Sequence, residues 1–405
     1  MRGGNLRKPL KLGIIGCGIV GESAVANMAL DERVSIVAAT DVSAERSRAT
    51  ASRTQARAYT NVDEMLHRES LDVALVATPD AHHRGPAIQV AEAGVPYLLM
   101  QKPLATSVED AYSIAEAAKA TECCVYMLFS NRFDAMDLAT RYAVQQGLIG
   151  APNYGEARLD DNICVPTSLW GERSRSWAEQ SSPAQFLLSH VVDQVRWYFQ
   201  PAEVEAVYAI SQQTILGFTP DLYDAYLFLD NGMNIRLKAE WTKHMGPRVE
   251  FYLYFAGSKG SITYHKLPGF NARLGWRAEV DAAASWSEIL DHRRVLNEHQ
   301  VRCHASMERG YGDGGDVDKQ VLTIENNHSI GVYRVVIDAI VEDTLQPSIL
   351  APFGRLPTLE DGVRTTEVVC AIEESAAQRS EIVLPPHASG RARIDAASEG
   401  GERVT

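Results

Sequence analysis

Apolar residues in the first 130 positions fall into short unbroken runs separated by stretches with helical spacing. The runs at 12–16, 34–40, 71–78, 96–100 and 125–129 predict strands. Continuous rather than alternating apolarity marks strands covered by helices on both faces. Between them, Val108, Ala111, Tyr112, Ala115 and Ala118 form one helical stripe. The expectation is an α/β fold in which residues 1–130 make a doubly wound parallel sheet. From about Asn153 the pattern turns to alternation at 203–210, 225–229, 234–240, 250–255 and 261–264. These segments predict a mostly antiparallel sheet, with Asn231-Gly232 as a hairpin turn. Residues 270–325 show no steady period, and helical periodicity returns at 330–342 and 358–379. Residues 131–386 are thus expected to form an α+β domain, and the Ser/Gly/Arg/Glu-rich stretch 387–405 a disordered tail.

Length adds only that 405 residues, at about 150 per domain, suit two or three domains. Hydrophobic residues at 45% and charged residues at 22% exclude collagen-like or wholly disordered chains. The excess of 52 acidic over 39 basic side chains, net −13, repels polyanions, so nucleic acid is not an expected partner. No apolar stretch approaches the roughly 18 residues of a membrane span. The basic leader before residue 12 has the outline of a signal peptide. Gly16, Gly18 and Gly21 followed by Glu22 interrupt its apolar part, which favours a cytoplasmic protein. The six cysteines form no CxxC pair and are expected to be reduced thiols. There is no HExxH or zinc spacing, so no metal is expected. The run Gly310-Tyr311-Gly312-Asp313-Gly314-Gly315-Asp316 lacks the spacing of an EF-hand and is read as a solvated loop.

Chemistry enters with Gly16-Cys17-Gly18-Ile19-Val20-Gly21, which follows a predicted strand and opens a predicted helix. The first glycine serves a tight turn, the second close approach of a pyrophosphate, and the third the packing of helix on strand. Asp41 lies 20 residues beyond Gly21 and suits a ribose diol, so NAD is the expected cofactor. Arg46 and Arg48, a turn later, leave NADP open. Thr78, Pro79 and His83 end one strand, and Gln101-Lys102-Pro103 the next. Lys102 there could hydrogen-bond a substrate oxygen, with its pKa lowered by partial burial. His190, Asp193 and Trp197 share one helix face, and a histidine can take the proton when a hydride leaves the same carbon.

In order and spacing these segments resemble the Gfo/Idh/MocA family over about residues 11–385. The family's opening strand and GxGxxG match 12–21. Its TP-x-x-x-H segment matches Thr78, Pro79 and His83, and its AG…EKP segment matches Ala93, Gly94 and Gln101-Lys102-Pro103. Asn131-Arg132-Phe133, Gly147-Leu148-Ile149-Gly150, the H-x-x-D of His190 and Asp193, and the turns Asn231-Gly232 and Gly257-Ser258-Lys259-Gly260 follow in order. The resemblance implies a Rossmann domain joined to an α+β domain whose large open sheet roofs the active site. It implies NAD(P)-dependent hydride transfer at a hydroxyl or keto carbon of a sugar, cyclitol or related polyol. Lys102 would hold the reacting oxygen, His190 would be the general acid or base, and Asp193 and Arg132 would bind substrate. Thr78, Pro79, His83, Gln101, Lys102 and Asn131 would line the cofactor beside Gly16, Gly18, Ile19, Val20, Gly21 and Asp41. A homodimer or homotetramer built on the open sheet is implied as well.

Two departures stand out. Gln101 replaces the Glu that usually precedes the lysine, and Phe186 occupies the position four before His190 where the family carries Asp. Gln185, Ser189, Asp160 and Asp161 are the polar candidates to compensate. One extra residue also lies between Gly94 and Lys102. The departures keep two further classes open: a redox-neutral, NAD-retaining glycoside hydrolase or lyase, and a dinucleotide-binding regulator without turnover.

Overall fold

The computed structural model describes residues 8–266, 275–281, 284–312 and 315–386. The tail from 387 lies outside the described residues. Six strands form the first sheet: β1 (Leu10–Ile15), β2 (Val34–Thr40), β3 (Arg57–Tyr59), β4 (Val73–Val76), β5 (Tyr97–Met100) and β6 (Cys124–Met127). All pair in parallel, in the order β3-β2-β1-β4-β5-β6. That order reverses between β1 and β4, so a crevice opens at the carboxyl ends of those strands. The unbroken apolar runs are buried as expected, with Val73, Ala74, Leu75 and Val76 all at 0% exposure. The stripe on the helix Val108–Ala120 differs in one respect. Ala111, Ile114 and Ala118 face inward, whereas Tyr112 turns out to solvent and hydrogen-bonds Glu367.

The second sheet has ten strands. After β7 (Pro152–Asn162), and a short β8 (Leu169–Gly171) that joins neither sheet, come β9 (Val204–Gln212), β10 (Leu222–Leu229), β11 (Asn234–Lys243), β12 (Val249–Gly257) and β13 (Gly260–His265). The series ends with β14 (Trp276–Val280), β15 (His304–Gly312), β16 (Gly315–Ile324) and β17 (Ile382–Val383), and the order is β15-β16-β14-β13-β12-β7-β11-β10-β9-β17. All pairs are antiparallel except β11 with β7. Asn231-Gly232 forms the β10–β11 hairpin, with Gly232 at φ +84°. Residues 270–325, expected to be irregular, hold β14 to β16 and the helix Trp286–Glu298. That helix is opened by a capping box of Ser285 and Glu288, a signal present in the sequence. Of the glycine run, residues 310–312 and 315–316 are paired strand ends of β15 and β16, and Asp313 and Gly314 lie outside the described residues.

β7, invisible in the hydropathy pattern, is central. Its inward positions carry Gly155, Ala157, Leu159 and Asp161, which together give little apolar signal. Gly155 is required there, because a Cβ would sit 2.8 Å from the Phe255 ring on β12. The helix Ser189–Phe199 packs beneath this sheet with every residue buried except His190. Its last carbonyls are satisfied from the helix Ala135–Gln145: Arg141 donates to Trp197 and Tyr198, and Gln145 Nε2 to Tyr198 O at 2.9 Å. The helix Leu359–Gln378 packs against both Val108–Ala120 and β9, fastening the two sheets together. No helix among the described residues is long and apolar enough to cross a membrane. Gly155→Val is expected to cost about 1–3 kcal/mol of stability by overpacking, read from chemical denaturation.

Candidate active site

β1 ends in Gly16, whose φ of +96° turns the chain toward the helix Ile19–Met28. A Cβ on Gly21 would run into the Gly16 carbonyl, whereas one on Gly18 meets nothing within 4 Å. Gly18 caps the helix without a side-chain hydrogen bond, so the first N–H groups stay free for an anion. Ile19 is 60% exposed at this mouth. Asp41, at the end of β2, accepts from Cys17 N at 2.9 Å and Ser43 N at 2.8 Å. Arg46 bonds the same carboxylate, with Nη2 2.6 Å from Oδ1. Burial pushes the Asp41 pKa up, but Arg46 and the backbone donors outweigh it and hold it below the usual carboxylate value. Oδ2 accepts only from Cys17 and keeps lone pairs for ribose. The open space over Gly18, the free helix N-terminus and this carboxylate fit a dinucleotide.

At the end of β4, Pro79 is exposed and Thr78 half-buried, and Thr78 Oγ1 donates to the His82 carbonyl at 3.1 Å. His83, expected to line the cofactor, is instead 1% exposed. Its Nδ1 lies 2.7 Å from Pro103 O and its Nε2 3.0 Å from Thr78 O. It pins the two strand-end loops together behind the crevice. Burial lowers its pKa despite Asp80 and the carbonyls. Asp80 ties the same loop to the second domain, accepting from Trp177 Nε1 at 3.0 Å and Ser181 Oγ at 2.5 Å. Gln101 is half-buried beside Tyr333.

Lys102 reaches across to the second domain. Its Nζ donates to Phe186 O at 2.7 Å and stands 3.8 Å from the centre of the Phe186 ring. The ring packs on Trp177 and Trp241, with centroids 4.6 and 6.2 Å away. Phe186 belongs to a π-helical turn, Ala184–Leu188, that leads straight into the His190 helix. Such turns insert a residue and redirect side chains. Gln185 Nε2 is held by Glu373 Oε2 at 2.6 Å, while its buried Oε1 has no hydrogen-bond partner. Ser189 is fully buried and bonds Phe186 O. Burial lowers the Lys102 pKa to about 8, with Asp80 and Asp161 pulling it back up. Burial also drives His190 well below its ordinary pKa, with Lys102 and Lys266 adding repulsion, so the imidazole is neutral. Its Nδ1 is buried without a partner.

Arg132 and Asp193, expected to bind substrate, bind each other. Arg132 Nε meets Asp193 Oδ2 at 2.9 Å and Nη2 meets Oδ1 at 2.5 Å, with side chains 3% and 1% exposed. Asp361 approaches the same guanidinium at 3.4 Å. Burial pushes the Asp193 carboxyl up to about 6, with Arg132 opposing, so the pair stays charged at neutral pH. It anchors the His190 helix to the end of β6. Asn131 turns toward the second domain, accepting from Lys266 Nζ at 2.7 Å and donating to Gln194 at 3.2 Å. Sequence reasoning missed Lys266, which follows β13 and pairs with Asp134 at 2.5 Å and Asp137 at 3.0 Å. No spacing rule brings residues 134 and 266 together. Among the described residues no group of His, Cys, Asp or Glu could hold a metal, and all six cysteines are free.

Family comparison agrees with this geometry. Residues 10–129 match the NAD-binding Rossmann fold of an oxidoreductase family, and residues 138–263 match the GFO/IDH/MocA C-terminal domain. The chain belongs to the Gfo/Idh/MocA oxidoreductase family. This oxidoreductase is 25% identical to an inositol 2-dehydrogenase of Rubrobacter xylanophilus over 296 residues, 71% of this chain and 79% of that one. A glycosyl hydrolase family 109 protein of a Shewanella species is 30% identical over 178 residues, 42% of this chain and 39% of that one. The solved WlbA dehydrogenase of Bordetella pertussis, in complex with NADH and UDP-GlcNAcA, shares the fold. Its TM-score is 0.71 at 20% identity, covering 95% of this chain and 100% of that one. Asp193→Ala, which strands Arg132 in the interior, is expected to cost about 3–5 kcal/mol in chemical denaturation. A substrate-binding role would raise KM at unchanged stability.

Proposed function

We propose that this oxidoreductase is an NAD-dependent dehydrogenase of a polyol-like hydroxyl, with Lys102 and His190 at the reacting carbon. The observation that carries the reading is Lys102 Nζ held by the Phe186 carbonyl, in the turn that leads into the His190 helix, at the strand-end side of the first sheet where the glycine loop lies. When bound, the nicotinamide would supply the hydride acceptor or donor. Lys102, protonated below about 8, donates to the reacting oxygen and favours its anionic form. His190, neutral through burial, accepts the hydroxyl proton in oxidation and returns it in reduction. Enclosure between the two sheets fixes the carbon and limits water. NAD is preferred over NADP because Asp41 would repel a 2′-phosphate and already neutralises Arg46. The same reading carries a homodimer or homotetramer through the open sheet face, where Tyr208, Ile210 and Tyr226 are exposed.

The test is NAD⁺ reduction against a sugar and cyclitol panel. Lys102→Ala and His190→Ala are each expected to lower kcat/KM about 10²–10⁴-fold while NAD⁺ binding persists, and activity surviving both refutes the reading. Glycoside cleavage without net NADH would replace it by redox-neutral chemistry, and cofactor binding without turnover by a regulatory role. In titrations NAD⁺ is expected to bind more tightly than NADP⁺, and Asp41→Ala to narrow the gap. The opposite order would overturn the cofactor assignment.

A further inference from the structure

Glu373, half-buried on the helix Leu359–Gln378, is a carboxylate held by neutral groups. Its Oε1 accepts from Ser182 Oγ at 2.5 Å and its Oε2 from Gln185 Nε2 at 2.6 Å. Burial pushes its pKa up, and what opposes the rise is these two side chains rather than a cation. Cys370 and Tyr223, which feel its charge, are themselves pushed up and stay neutral. A carboxylate so placed adds little to stability, and an apolar side chain of similar size could replace it at small cost. Its two partners give it another role.

Both belong to the segment that holds Lys102, and both are buried, Ser182 at 5% and Gln185 at 3% exposure. Ser182 Oγ also accepts from Gln185 N at 3.0 Å, and Ser182 O accepts from Phe186 N at 2.9 Å. The π-helical turn Ala184–Leu188 is closed where Ser189 N donates to Ala184 O. Within it, Phe186 O accepts from Lys102 Nζ at 2.7 Å. Gln185 Nε2 also lies 3.4 Å from Thr106 O, in the loop that follows Lys102. Glu373 therefore ties the start of the turn to the helix that fastens the two sheets. A π turn carries one residue more than an α-helix needs, and relaxing it would rotate one flank by about 100°. Phe186 O would then leave Lys102.

We propose that Glu373 is a positioning residue: by clamping Ser182 and Gln185 it holds the π turn in the register that presents Phe186 O to Lys102. It acts on the reaction only through the direction of the Lys102 ammonium, and for that step the inference rests on the dehydrogenase reading.

Two readouts on Glu373→Leu and Glu373→Gln test it. The first needs no turnover: the rate at which an amine-reactive ester acylates Lys102 in the purified protein, followed by peptide mass spectrometry. Released from its acceptor, Lys102 is expected to react about fivefold faster in Glu373→Leu, the share of one net hydrogen bond, with other lysines unchanged. The second readout is kinetic. Glu373→Leu is expected to lose at least about tenfold in kcat on a turned-over polyol, with KM for NAD⁺ and the denaturation midpoint retained. Glu373→Gln is expected to recover most of both losses. Its oxygen can accept from Ser182 while its nitrogen donates to Gln185 Oε1, which is buried without a partner. A packing role alone would leave Lys102 reacting at the wild-type rate in the Leu variant, and that result overturns the proposal. So does a Gln variant as impaired as the Leu variant. If Glu373→Leu does not fold, Ser182→Ala takes its place, since it cuts the same clamp from the other side. Absence of wild-type turnover across the polyol panel refutes the dehydrogenase reading instead, and the acylation rate still decides the positioning.

Discussion

Arg132 and Asp193 meet through two nearly parallel hydrogen bonds with almost no solvent contact, and the relative position of Lys102 and His190 depends on that meeting. Arg132 stands just beyond β6, at the edge of the first sheet. Asp193 is one turn along the helix that carries His190. Asp361, from the helix that fastens both sheets, completes the cluster. A bidentate ion pair buried in a medium of low polarity tolerates little displacement. The pair therefore fixes the helix that carries His190 against the end of the first sheet.

A second constraint follows from Phe186. With an aromatic ring where a carboxylate would stand, the Lys102 ammonium is stabilised by a carbonyl and a π face, both weaker than a counter-ion. Burial therefore dominates its titration. The same enclosure and two nearby ammonium groups keep His190 neutral. Burial thus acts on both groups in the same direction, making the lysine easier to deprotonate and the histidine harder to protonate.

Much of this was legible in the chain. The five apolar runs of the first domain correspond to β1, β2, β4, β5 and β6, because continuous burial on both faces leaves an unmistakable hydropathy trace. β3 escaped because it is three residues long at a sheet edge. β7 escaped because three of its four inward positions, Gly155, Ala157 and Asp161, are small or acidic. The glycine loop, Asp41 and Lys102 were visible because local spacing creates their environment. Arg132, Asp193 and His83 were visible as motif residues but not as structural ones, since which polar groups pair with each other is decided by contacts between distant segments.

The sequence by itself determined the class of fold and marked the glycine loop, Lys102 and His190 as site candidates. Each of these follows from local periodicity or from chemistry carried within a few residues. Only the tertiary structure decided that Arg132 and Asp193 neutralise each other, that Lys266 joins Asp134 and Asp137, and that Asp161 rather than Asp160 turns inward. The reason is geometric. A strand's facing is fixed by its register with neighbours, and β7 takes its register from β11 and β12, which follow it by some ninety residues.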